Sequence, residues 1–217
     1  MLYLNKISKS YNNKRILEDF SLKINLGETI GLSGPNGSGK TTLLKITSGH
    51  ILQDSGHIIF NEVEIDKERS RIRYIDNNPR SFFLRLNSIQ NLLYFSALNG
   101  IKKDEVKGYL QENKGYFDLN QFIHLPMNKI SLGQIQIIGL LRAMITKPKI
   151  LLFDEVFSSL DDNNRNSMMD LLNKYRYTER NLITIFCSHN KDVLSKTCDR
   201  LVNLEKKFYE ETISDHK

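Results

Sequence analysis

Apolar and polar residues alternate through the first thirty positions, in "LYLNKIS", "FSLKINLGET" and "IGLSG". A period of two belongs to strands with one buried face, and "NLGE" at 25–28 reads as a tight turn. From Lys40 the period changes. In "KTTLLKITSGH", Leu43, Leu44 and Ile46 recur at helical spacing. "GHIIFNEVEI" at 56–65 predicts another hairpin, and from about 79 to 145 the pattern turns mainly helical. The helical runs there are "SIQNLLYFSAL", "KDEVKGYLQEN" and "GQIQIIGLLRAMIT". "PKILLFDE" is a short unbroken apolar run after a proline, as expected of a strand buried on both faces. "NNRNSMMDLLNKYRY" predicts a helix, "NLITIFCSH" a second buried strand and "DRLVNLEK" a last one.

Strands that alternate with helices predict an α/β fold with a mostly parallel sheet covered on both sides. The N-terminal hairpins form an antiparallel β subdomain in this reading, and the middle stretch is an inserted helical subdomain at about 77–145. The β subdomain and core take about 1–76 and 146–217, within one domain spanning 1–217.

Composition narrows the function classes. The chain has 217 residues, 40% hydrophobic and 26% charged, which suits a globular body with a real core. A net charge of +6 permits an anionic partner. The basic residues are nevertheless scattered through "KISKSYNNKR", "KERSRIR" and "NKYRYTER", so a solvated surface is expected and no nucleic-acid partner. Cys187 and Cys198 form no CxxC and no metal spacing, which fits a reducing compartment, and Cys187 is expected to be plain core. No apolar run approaches the roughly 18 residues of a spanning helix, and the opening residues resemble no leader peptide.

Residues Gly34 to Thr41 read G-P-N-G-S-G-K-T, a full match to GxxxxGK[ST] between an apolar strand and a helix. Gly34, Gly37 and Gly39 let main-chain N–H groups turn inward around an anion, with Pro35, Asn36 and Ser38 completing the loop. The helix that follows presents unpaired N–H groups and a positive dipole end to the same anion, through Lys40, Thr41 and Thr42. Lys40 supplies a point charge for the β- and γ-phosphates, and the Thr41 hydroxyl is placed to ligate Mg²⁺. Nucleotide binding follows, with a triphosphate and Mg²⁺ as the expected ligands, and kinases, GTPases, helicases and transport ATPases all stay open on this motif alone. "HNKD" at 189–192 carries the letters of a guanine-reading motif, but it abuts a buried strand and has a better explanation below.

"ILLFDE" at 150–155 ends a buried strand in two carboxylates, at the edge where open α/β sheets bind ligands. Asp154 is the candidate for holding Mg²⁺, directly or through water. Glu155, pointing elsewhere, is the candidate for orienting or deprotonating the attacking water.

With these motifs in order, the chain resembles the ATP-binding subunits of ABC transporters over nearly its whole length. "ISLGQ" at 130–134, just before a helix, looks like that family's LSGGQ signature, and "SSLD" at 158–161 resembles its D-loop. "CSHN" carries His189 where the family has its switch histidine, and Tyr11 sits where it places an aromatic on adenine. The resemblance implies two such domains closing head to tail on two ATP molecules. Ser131, the backbone of Gly133 and Gln134 would then meet the nucleotide on the partner's P-loop. Asp161 would link the two sites, and His189 would hydrogen-bond the γ-phosphate. Hydrolysis would let the dimer open and move an attached permease.

The implied partners are a membrane-embedded permease as a separate chain and a second ATP-binding subunit, identical or homologous. The implied place is cytoplasmic, peripheral on the inner face of the cell membrane. The alternative is a soluble ABC-type ATPase acting as a scaffold or switch with a non-membrane partner.

Two departures bear on turnover. Leu132 replaces the first glycine of the signature. It either obstructs the partner's phosphate or points aside and leaves Ser131 and Gly133 to the contact, and the second is expected. "RYIDNNPRSFF" puts Asn77 where the family has a glutamine reaching Mg²⁺ and water, with Asn78 in an alternative register. Asparagine is one methylene shorter, which suggests contact through water and a slow ATPase. Phe82 and Phe83 lie near the family's docking groove, as an exposed apolar contact or as lobe core.

Overall fold

The computed structural model describes residues 1–188, 191–204 and 211–212. Among them ten strands and six α-helices follow in chain order. The strands are β1 (Leu2–Tyr11), β2 (Lys14–Ile24), β3 (Thr29–Ser33), β4 (Ser55–Phe60), β5 (Val63–Glu64), β6 (Ile72–Ile75), β7 (Ile150–Asp154), β8 (Ile183–Cys187), β9 (Arg200–Asn203) and β10 (Glu211–Thr212). The helices are α1 (Lys40–Ser48), α2 (Ser88–Ala97), α3 (Lys103–Asn113), α4 (Leu132–Met144), α5 (Asp162–Thr178) and α6 (Lys191–Thr197). The chain divides into two compact units.

The first unit comprises Met1–Tyr74, Pro148–Glu155 and Glu179–Lys217. Its smaller sheet has the order β2-β1-β4-β5, with antiparallel neighbours. β1 and β2 run longer than the alternating stretches suggest, because "YNNK" closes them into a hairpin. Tyr11 pairs with Lys14, and Asn12 and Asn13 both take positive φ, 47° and 62°. Two left-handed central residues are what a two-residue hairpin loop needs to match strand twist, and asparagine tolerates that conformation.

The larger sheet has the order β10-β9-β3-β8-β7-β6. β9, β3, β8 and β7 are mutually parallel, and every residue of β3, β7 and β8 is buried. Continuous apolar runs therefore fill both faces of the central strands, as their sequence requires. Phe153 and Phe186, on neighbouring strands, stack at 4.7 Å between ring centroids. Leu4, Phe20 and Phe60 of the small sheet share one core with Ile30, Leu44, Leu152 and Ile185 of the large sheet and α1. Each such side chain contributes about 1.5–3 kcal/mol when fully buried.

The second unit comprises Ile75–Lys147 and Val156–Thr178. It is larger than the inserted subdomain expected at 77–145, since it takes in 156–178 and so divides the stretch 146–217. The physical reason is α5, which buries Met168, Leu171 and Leu172 and packs against α4. Amphipathic periodicity alone does not say which body covers that stripe. α4 itself is buried from Ile135 to Leu141, as its nearly uninterrupted apolar run demands.

The phenylalanine pair splits. Phe82 is core, with the Arg142 guanidinium 4.0 Å from its ring centroid, while Phe83 is exposed and meets Tyr94 edge to face at 4.8 Å.

Candidate functional site

β3 delivers the glycine-rich loop to the C-terminal edge of the parallel sheet, and α1 begins at Lys40, directly after Gly39. Gly34, Gly37 and Gly39 all have positive φ, at 141°, 75° and 104°. Their spacing does different jobs. A Cβ on Gly39 would fall 2.8 Å from the Leu17 side chain, whereas one on Gly37 would meet nothing within 4 Å. Gly39 is therefore required by the fold. Gly37 leaves open space beside the loop.

Gly39, as the residue before α1, offers no side-chain cap, so the N–H groups of the first turn have no side chain turned onto them. Ser38 is buried, and its Oγ has no hydrogen-bond partner among the described residues. A buried hydroxyl without a partner is costly unless a ligand or water meets it. Lys40, 6% exposed, bends back and donates from Nζ to the carbonyl oxygens of Gly34 (2.7 Å) and Pro35 (3.0 Å). The cation thus lies inside the loop, held by weak neutral acceptors that an anionic oxygen would outcompete.

The carboxylates at the end of β7 reach the same loop. Thr41 Oγ1 donates to Asp154 Oδ1 at 3.0 Å, and Tyr74 Oη donates to Asp154 Oδ2 at 2.7 Å. A threonine hydroxyl beside a buried carboxylate is an oxygen donor set suited to a hard divalent cation. Among the described residues no cluster of three His, Cys, Asp or Glu side chains could hold a metal alone. This pair instead fits a cation that arrives with its own phosphate oxygens.

Glu155, one residue on, turns away from Asp154 because its backbone is left-handed, with φ 56°. Its N–H donates to the Cys187 carbonyl at 3.0 Å, and its Oε1 lies 3.9 Å from Cys187 Sγ. Non-glycine residues in that conformation store about 1–3 kcal/mol of strain and cluster at functional sites. The Cys187 thiol is pushed well up by burial, and then by the carboxylates of Asp154 and Glu155.

Tyr11, Asn36, Gly37, Gly39, Lys40, Thr41, Thr42, Glu155 and Cys187 line one open cleft of about 210 Å³. The ring of Tyr11, 45% exposed, is placed there by the Asn12–Asn13 turn, with Lys9 Nζ 5.6 Å from its centroid.

Other expected site residues belong to the second unit. Ser131 caps α4, where its Oγ accepts from Gln134 N (3.2 Å) while Ser131 N donates to Gln134 Oε1 (2.9 Å). That reciprocal box leaves the Ser131 hydroxyl proton for another acceptor. Gly133 lies in the first turn of α4, and Leu132 opens the helix with its side chain 40% exposed. Asp161 caps α5, accepting from Asn164 N and Asn164 Nδ2, both at 2.8 Å. Asn77 Oδ1 accepts from Nε2 of the buried Gln136 on α4. His189 lies outside the described residues.

Two residues near the carboxylates carry more than their sequence pattern signals. Cys187, expected as plain core, is buried and also borders the cleft. Tyr74 stands three residues before Asn77, and its signal is a phenol at the end of the strand next to β7 in the sheet.

Comparison with known proteins gives the family and the fold. Residues 17–158 match the family model described as ABC transporter. The chain is 32% identical over 208 residues to the spermidine/putrescine import ATP-binding protein PotA of Pasteurella multocida, covering 95% of this chain and 56% of that protein. It is 30% identical over 210 residues to the uncharacterized ABC transporter ATP-binding protein YdbJ of Bacillus subtilis, covering 95% and 67%. The chain thus spans little more than half the length of the PotA relative.

Among solved structures, an ATP-binding subunit of an ABC transporter superposes with a TM-score of 0.88 at 22% identity, over 99% of this chain and 90% of the other. The ATP-binding cassette MJ0796, dimeric and bound to ADP and Pi, superposes at 0.85 and 22% identity over all of both chains. The fold is that of the ATP-binding cassette, and the chain belongs to the ABC transporter family.

Proposed function

We propose that this chain binds and hydrolyses Mg²⁺-ATP and, by closing and opening against a second ATP-binding subunit, powers a separate membrane-embedded permease. The observation that carries the reading is one cleft of the first unit. It brings the glycine-rich loop, Lys40, Thr41 and Glu155 together, with Asp154 hydrogen-bonded to Thr41. The buried Ser38 hydroxyl, without a partner among the described residues, and the open flank of Gly37 support a phosphate chain in that loop.

In this reading Tyr11 stacks on the base, and main-chain N–H groups from Gly34 to Thr42 face the phosphates. Lys40 Nζ leaves the carbonyls of Gly34 and Pro35 for the β- and γ-phosphate oxygens, a charge-assisted exchange. Thr41 Oγ1 and Asp154 would hold Mg²⁺, which when bound neutralises charge that develops on the phosphates. Glu155, set apart from Asp154 by its left-handed backbone, takes a proton from the attacking water at its carboxylate. Asn77 and His189 assist at the water and the γ-phosphate.

Ser131, Gly133 and Gln134 would face the nucleotide of the second subunit, with Asp161 linking the two sites. Capped as it is, Ser131 retains a hydroxyl proton for that anion. Among the described residues no helix is long and apolar enough to cross a membrane, so a separate spanning partner is proposed, with this chain at the cytoplasmic face. The exposed aromatic pair Phe83 and Tyr94 supports a docking face on the helical unit.

Calorimetric titration of the full chain with ATP, with and without Mg²⁺, tests the core of the reading. Heat that saturates and depends on Mg²⁺ is expected, and its absence at millimolar ATP removes the proposal.

A further inference from the structure

Asp154 is 7% exposed, and a buried carboxylate needs donors on its oxygens. Beside the Cys187 thiol, two hydroxyls of different kinds donate to it. Thr41 Oγ1, on Oδ1, is itself a candidate metal ligand. Tyr74 Oη, on Oδ2 at 2.7 Å, has no such job. The Tyr74 ring packs against the core of the first unit and lies 5.1 Å from the His50 ring, so the ring is held by its neighbours.

The terminal torsion of an aspartate is broad and roughly twofold, so one hydrogen bond leaves the carboxylate plane free to swing. Donors on opposite oxygens remove that freedom. They also leave acceptor capacity on the carboxylate for a cation or its water. We infer that Tyr74 is a positioning residue, whose hydroxyl fixes the plane of the Asp154 carboxylate and thereby sets the affinity for the divalent cation that accompanies the nucleotide. The inference rests on the function proposed above. Its chemistry is that of outer-shell donors elsewhere, whose loss typically costs about 10- to 100-fold in metal affinity.

Tyr74→Phe deletes only the hydroxyl oxygen and keeps the packed ring. Two dissociation constants distinguish the outcomes, both measured on the full chain. One is that of a fluorescent ATP analogue in EDTA, and the other is that of Mn²⁺ for the nucleotide-loaded protein, followed by electron paramagnetic resonance. Tyr74→Phe is expected to leave the EDTA constant within about twofold and to weaken Mn²⁺ roughly tenfold. The rise in Tm that Mn²⁺ adds over metal-free nucleotide should shrink in step.

An unchanged Mn²⁺ constant in Tyr74→Phe, with wild type binding metal and nucleotide normally, overturns the inference and leaves the proposed function intact. Equal losses with and without metal mean that Tyr74 supports only the fold, and also overturn it. A wild-type chain that binds nucleotide in neither condition removes the inference together with the function it rests on.

Discussion

Thr41 and Asp154, 113 residues apart in sequence, are joined by one hydrogen bond of 3.0 Å from Oγ1 to Oδ1. The bond ties the first turn of α1 to the last residue of β7, at the edge of the sheet where β3 ends. It sets a donor hydroxyl and an acceptor carboxylate side by side. Such pre-set geometry lowers the cost of ordering a bound cation. The predictions below test the neighbours of this pair.

Lys40→Ala removes the cation that fills the loop and strands the Gly34 and Pro35 carbonyls it satisfies. Hydrogen bonds to charged groups contribute about 1.5–3 kcal/mol, so ATP affinity is expected to fall roughly 10- to 150-fold. Calorimetry reads the change, and an affinity within threefold of wild type would show that Lys40 does not engage the phosphates.

Glu155→Gln keeps the side-chain volume and abolishes its basicity. Turnover is expected to drop about 10²- to 10⁴-fold, the usual contribution of a general base, with ATP binding retained. Phosphate release beside equilibrium binding separates the two, and unchanged turnover would assign the base elsewhere.

The loop glycines should fail in different ways. Gly39→Ala drives a Cβ to 2.8 Å from Leu17 and demands a φ of 104°, so about 1–3 kcal/mol of stability should be lost in urea unfolding. Gly37→Ala meets nothing, and pays only its left-handed backbone, about 1–2 kcal/mol. Its added methyl should instead weaken ATP binding, and a variant with normal affinity would show that the flank of Gly37 is not a phosphate surface.

Cys187 should be inert while folded. Burial first, and then the carboxylates of Asp154 and Glu155, hold its thiol far above the ordinary value of 9.0. Native protein is expected to react with neither thiol exposed to Ellman's reagent at pH 8, since Cys198 is also buried, and two thiols should appear in urea. The linkage has a definite sign. A folded-state pKa above the unfolded one gives stability that is present below the unfolded pKa and declines as pH rises past it. The urea midpoint should therefore fall above about pH 9, and fall less in Cys187→Val.

Asp161 gives the opposite sign. The Asn164 backbone and side chain hold its carboxyl below the ordinary 3.8, so its support for α5 is present above that value and is lost as pH falls through the folded pKa. Asp161→Asn should keep the cap, while Asp161→Ala should lower Tm at pH 7 and lose its difference from wild type in strong acid. Equal melting of all three at pH 7 would show that the cap adds nothing.

Much of this protein is written in local pattern. The glycine spacing, the lysine after it, the paired acids at the end of an apolar strand and the signature before α4 are all short-range features. Each is set by what a turn, a helix start or a buried strand will tolerate. Periodicity likewise placed α1 to α5 and the buried strands. What it could not decide was which body owns α5, because an amphipathic stripe specifies that it must be covered and not by what. Nor could it pair Tyr74 and Thr41 with opposite oxygens of Asp154, turn Glu155 away through a left-handed backbone, or bring Cys187 beside it. The pairings among them join residues tens to more than a hundred positions apart through strand order in the sheet, and strand order is settled by long-range packing, which no local window of the chain contains.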